Sequence, residues 1–180
     1  MSDFDEQGRP EPPMEGDEFA TLNGFLEFQR ATLVWKAGGL TAEQLARTTA
    51  KSSMTLGGLV KHLAYVEQQW FHTVLHDREP LEPWKSVDWQ ADYDWDWHSA
   101  ADHTVDDLFA LWQDEVERSR KAVAEALESG DLGQLAKRPP WKDGRRVNLR
   151  WILTHMVEEY SRHNGHADVF REAIDGQTGE

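Results

Sequence analysis

The residues best suited to chemistry in this sequence are His155, Glu159 and His163, which follow one another at intervals of four in the segment HMVEEYSRHNGHADVFREAIDG. On a helix, side chains at i and i+4 share one face about 6 Å apart, so Glu159 and His163 can take one metal ion without bending the backbone. A third donor must come from another element. His62 is the best placed, because it is a polar residue on the core-facing stripe formed by Leu59, Leu63 and Val66. Two imidazoles and a carboxylate hold zinc in an open site, or nickel, iron or manganese, and leave coordination positions for water or substrate. His155, one turn before Glu159, and His166, one turn beyond His163, are candidate proton carriers or substrate-facing groups, and His155 is also an alternative ligand.

An E-x-x-x-H pair is common on helices, so spacing alone does not make a site, and the remaining histidines show why. His72 and His76 are also four apart, but they close a helix, where an imidazole interacts favourably with the dipole and needs no metal. His98 and His103 lie in or beside an acidic loop, where a solvated role is expected.

The elements that must position these residues are helical. Phe19, Leu22, Phe25, Leu26, Leu33 and Val34 recur at helical spacing between Asp17 and Lys36, and Gly38-Gly39 follows. Thr41 with Gln44 makes a capping-box pattern for a short turn over 40–46. A second long helix begins at the Ser and Thr caps of SSMTLGGLVKHLAYVEQQWFHTVLH and runs to Asp77; a third runs from Thr104 to Ser129-Gly130; a fourth from near Asn148 to Asp175, with Gly176 as its stop. Prolines and the lack of a clean period make 78–103 a long loop, and 131–146 a turn-rich excursion that could hold a short hairpin. Four such helices bury their apolar stripes most simply as an all-α four-helix bundle, with the 78–103 segment crossing over and leaving the second and third long helices parallel.

Composition narrows the function. With 180 residues the chain is one domain: an acidic tail over 1–16, whose proline-containing composition predicts disorder, and a bundle over 17–180. The net charge of -14 opposes binding to nucleic acid or to an anionic membrane surface. Without cysteine the protein has no thiolate ligand or sulfur nucleophile of its own, so thiol chemistry requires an imported thiol. No signal-like start and no apolar run of about 18 residues is present, so a cytoplasmic location is expected. Trp89, Tyr93, Trp95 and Trp97 alternate with Asp88, Asp92, Asp94 and Asp96. The simpler account tucks these rings over the bundle end; the alternative makes them a lid over the metal or a wall of a substrate or dimer pocket. Gly165 inside a helix costs about 1 kcal/mol against alanine, which predicts close approach of a backbone or ligand there.

The segments FLEFQRATLVWKAGGL, TLGGLVKHLAYVEQQWF and HMVEEYSRHNGHADVFREAIDG together resemble the DinB superfamily, over nearly the whole chain after the tail, and within it an actinobacterial branch of small proteins. The resemblance implies a four-helix bundle with a crossover and a divalent metal held by one histidine of the second long helix and two residues four apart on the fourth. Here those are His62, Glu159 and His163. Many relatives have histidine where Glu159 stands, whereas the mycothiol-dependent maleylpyruvate isomerase branch has a glutamate; the family's frequent H-R-G-Q is here His163-Asn164-Gly165-His166. The resemblance thus implies a metal-dependent S-transferase or isomerase that uses mycothiol or a similar small thiol with an electrophile, with His166 or His155 carrying a proton, in a monomer or homodimer. The alternatives are a non-enzymatic metal-binding stress protein and an interaction module that uses the Trp/Asp-rich loop.

Overall fold

A computed structural model describes residues 4–49 and 52–179. Among these residues the protein is all-helical and forms no strand, only two isolated bridges. The helices are α1 (Glu18–Ala37), α2 (Ala42–Leu45), α3 (Leu56–Glu67), α4 (Trp95–His98), α5 (Val105–Ser129) and α6 (Leu149–Asp175). The four long helices expected from the sequence are among them. Among the described residues no helix is long and apolar enough to cross a membrane. The chain divides into two compact units, residues 1–56 with 153–180, and residues 57–152.

In the first unit α1 starts where Asp17 accepts a hydrogen bond from the Ala20 amide at 2.8 Å, a side-chain cap for one of the orphan donors of the first turn. The Thr41 and Gln44 pair closes as a reciprocal capping box around α2. The partner of α1 is α6: Asn164 donates to the Gln29 carbonyl at 2.9 Å, Lys36 pairs with Asp168 at 2.8 Å, and Arg171 donates to the Lys36 and Gly38 carbonyls at 3.0 and 2.7 Å. Partner numbers rise together, so the two helices run parallel. Arg171 also satisfies carbonyls that the end of α1 leaves open. Leu26, Leu33 and Ala37 of α1 and Met156, Tyr160, Ala167 and Phe170 of α6 are buried. At the far end of α6, Gly176 adopts φ 80°, the left-handed conformation that ends a helix, and its amide returns to the Glu172 carbonyl.

The segment before α1 packs more closely than its composition predicts. Phe4 and Pro10 form an antiparallel bridge, and Arg9, 5% exposed, holds Asp5 at 2.6 Å and lies over the rings of Phe28 and Trp35 at 4.4 and 4.7 Å. Gly24 allows this approach, because a Cβ there would meet Pro13 Cδ at 2.5 Å.

In the second unit α3 continues as a π-helical segment, Gln68–Val74, in which hydrogen bonds reach back five residues. Glu67, His76 and Arg78 meet Ser119, Ala122 and Glu125 of α5 in that order, so the two helices run parallel, as a crossover connection requires. The crossover is not a bare loop: it contains the turns Trp84–Ser86 and Ser99–Asp102 around α4. The turn-rich stretch after α5 forms a hairpin-like pairing, with Leu135 bridged to Asn148 and the Ala136 amide bound to the Val147 carbonyl. Its Lys137 and Arg138 amides donate to the Leu75 and Val74 carbonyls, which are otherwise orphaned where the helix ends.

Candidate metal centre

In the unit 57–152, α3 interrupts the buried run Leu59, Val60, Leu63 and Ala64 with Lys61 and His62. His62 is held from two sides. Asp96 Oδ2 lies 2.6 Å from His62 Nδ1, and the Trp97 ring stacks on the imidazole at 4.5 Å between centroids with 23° between planes. Asp96 is 3% exposed. An ionised carboxylate only accepts hydrogen bonds, so it fixes the proton on Nδ1 and leaves the imidazole lone pair on Nε2. This is the carboxylate-histidine pairing that orients metal-binding imidazoles and raises their basicity. Both residues come from α4, whose entry turn is built by Asp92: its carboxylate accepts from the Asp94 amide at 3.1 Å and meets His98 Nδ1 at 2.9 Å.

Lys61 is fully buried beside His62. Its ammonium donates to Ser99 Oγ at 2.6 Å and to His103 Nε2 at 2.9 Å, and stands 4.0 Å above the Trp95 ring. Burial pushes its pKa down to about 8, against the opposing pull of Asp102 and Asp96.

In the other unit, α6 brings Glu159 and His163 together one turn apart, with Glu159 Oε1 3.2 Å from His163 Nε2; both are largely shielded from solvent, His163 at 7%. One turn earlier His155 Nδ1 meets Glu158 Oε2 at 3.2 Å, and donor atoms of His155, Glu158 and Glu159 lie within 4.8 Å of one another. That second group is the more open to water, since Glu158 is exposed and also bound by Arg162. Arg162 therefore balances an acidic neighbour. His166 is exposed, 5.6 Å from His163 between ring centroids; partial desolvation and the positive charges of His163 and Arg162 hold its pKa below the ordinary imidazole value. Gly165 does not meet the close approach expected of it: a Cβ there would find nothing within 4 Å, so the glycine leaves space open beside α6 instead of admitting a neighbour.

The other histidines are structural. His72 Nε2 contacts the Glu79 carbonyl and His76 Nε2 the Ala122 carbonyl, each at 2.9 Å. His98 is ion-paired with Asp92 on the surface, and His103 serves Lys61 instead of water alone. Sequence reasoning missed Asp96, Trp97 and Lys61 as individuals. The signal for Lys61 was a charge inside an apolar run; for Asp96 and Trp97 it was only their membership in the alternating Trp/Asp stretch.

Among curated proteins none matches the chain. The family model for mycothiol S-transferases matches residues 21–176, which takes in every one of these side chains. With its helical architecture and its histidine and glutamate groups, the chain belongs to the mycothiol S-transferase family, within the DinB-like superfamily.

Proposed function

We propose that the protein is a divalent-metal-dependent thiol S-transferase in which His62, Glu159 and His163 hold the ion, zinc being the first choice for two imidazoles and a carboxylate. The observation that carries this reading is the buried Asp96 carboxylate on His62 Nδ1, the support a ligating imidazole needs and an unusual feature for a histidine that merely fills space. The donor types add to it, since two imidazoles and one carboxylate make a set that holds a divalent ion in an open site. A divalent ion takes these side chains as neutral imidazoles and an ionised carboxylate, so its binding competes with protons for all three.

A divalent ion bound there supplies Lewis acidity, which lowers the pKa of a small thiol enough to give the nucleophilic thiolate at neutral pH. The chain's own residues do the rest. Asp96 and Trp97 fix the ring plane of His62, so that its Nε2 needs no reorganisation to act as a donor. His166 or His155 carries the proton that leaves the thiol, both being imidazoles on α6 within about one turn of the Glu159 and His163 pair. The thiol is imported, since the chain has no cysteine, and it is mycothiol or a close relative by family membership. The same reading places the work in the cytoplasm, with small molecules as partners and neither nucleic acid nor membrane, on a chain that acts as a monomer or homodimer.

The test is incubation of zinc-loaded protein with mycothiol or cysteine and a panel of electrophiles, following thiol loss and adduct by mass spectrometry. Adduct formation that needs both metal and protein is expected. A chelator-sensitive melting temperature with no turnover on any pair would instead assign the metal a purely structural role.

A further inference from the structure

Within the unit 57–152 the π-helical segment lines a cleft of about 310 Å³ that none of the residues assigned to the metal reading enters. Gln68, Gln69, Thr73 and Val74 of that segment form one side, and Tyr65, Trp84 and Trp89 provide aromatic faces. π-helical turns are rare and persist mainly where they shape a functional site. Here the wider turn sets Gln68 and Thr73 one above the other, and the Thr73 hydroxyl donates to Gln68 Oε1 at 3.4 Å. With its oxygen engaged, Gln68 is left with its amide nitrogen, which has no hydrogen-bond partner although the residue is only 1% exposed. A buried donor without an acceptor is destabilising, so its retention calls for an explanation.

We propose that this cleft binds a flat, uncharged ring that carries a hydrogen-bond acceptor, the ring adding to the Tyr65 and Trp89 stack and the acceptor taking the Gln68 amide. Each part of that description answers a feature of the walls. Tyr65 and Trp89 already lie 4.6 Å apart between centroids at 33°, and Tyr65 and Trp84 5.4 Å apart, so a further ring prolongs an existing aromatic array. The only charged lining residue, Arg138, is already paired with Asp77 and Glu79, which leaves an anionic ligand no cation to meet. The buried unmatched polar atom among the lining residues is a donor, so one carbonyl or ring nitrogen suffices for it. The volume is about twice that of a cavity that takes benzene, roughly 150 Å³, which suits one substituted ring or two fused ones. The proposal does not depend on the metal reading.

The test uses full-length, metal-free protein and N,N-dimethylbenzamide as probe, with benzoate, toluene and methyl glucoside as comparisons, read from side-chain amide and indole resonances in nitrogen-correlated NMR spectra. Saturable shifts of the Gln68 amide and the Trp84 and Trp89 indoles by the benzamide are expected, with benzoate and the glucoside binding at least about tenfold more weakly. Gln68→Met should weaken the benzamide about tenfold and leave toluene unchanged. Should that variant fail to fold, Trp89→Leu, altered at the half-exposed rim, must weaken the benzamide and toluene alike. Tighter binding of the glucoside, benzamide binding indifferent to both substitutions, or no saturable shift would each overturn the proposal. Because no metal is present, none of these outcomes bears on the proposed transferase.

Discussion

Asp96, from a four-residue helix in the crossover, stands 2.6 Å from Nδ1 of His62 on α3, and its burial makes the contact a fixed feature of the fold. One short acidic turn thereby determines which nitrogen of a distant imidazole is available. Asp96→Asn keeps the shape and removes the charge. It is expected to lower metal affinity about 10- to 100-fold while helical circular dichroism is retained, as measured by competition with a chromophoric chelator. An unchanged affinity would reduce Asp96 to a packing residue.

Arg9 carries a second prediction. Its guanidinium lies over Phe28 and Trp35 and donates to Thr32 Oγ1 at 3.2 Å, so the segment before α1 adds to the stability of the first unit. Arg9→Ala should cost about 1–2 kcal/mol in urea unfolding. Deleting residues 1–16 should cost at least as much. A truncated chain as stable as the whole would mean that the contact contributes nothing.

How far the sequence reveals the molecule varies by element, and the reasons are physical. The long helices were legible because apolar periodicity and caps such as Asp17 and the Thr41 and Gln44 box are local. Glu159 and His163 were legible for the same reason, since i, i+4 spacing on a helix is nearly a distance. Arg9 was not, because a proline-containing acidic segment reads as unstructured until its one buried cation finds two aromatic rings on α1. Nor was the π segment: QQWFHTV fits ordinary helical periodicity, and the widened turn depends on tertiary contacts, among them the Lys137 and Arg138 amides that close its end. Asp96 lies 34 residues from His62 among three similar aspartates, and no local rule picks it out.

Glu115 gives a prediction in pH. It is fully buried, with Arg118 at 3.1 Å, the Trp84 indole N–H at 3.2 Å, and Glu67 as a like charge nearby; burial raises its pKa in spite of Arg118. A carboxyl whose folded pKa lies above its unfolded value makes the folded state bind the proton more tightly. Its stabilising contribution is therefore full below the ordinary carboxylate range and is lost as pH rises through the folded pKa. Glu115→Gln is neutral throughout and lacks this loss. The melting temperature of the variant minus that of the wild type should therefore become more positive as pH rises above the ordinary carboxylate range. A difference that stays flat or falls as pH rises would contradict the assignment.

The central claim is that one imidazole of α3 and an acid-imidazole pair of α6 serve a single ion, and metal stoichiometry tests it most directly. Apoprotein is loaded with zinc, desalted and measured by plasma mass spectrometry beside His62→Ala, Glu159→Ala, His163→Ala and the control His72→Ala. The account predicts close to one equivalent in the wild type and the control, and a loss of most of the metal in each of the other three. Full loading of His62→Ala, with loss confined to the α6 variants, would contradict it and move the ion to the group formed by His155, Glu158 and Glu159.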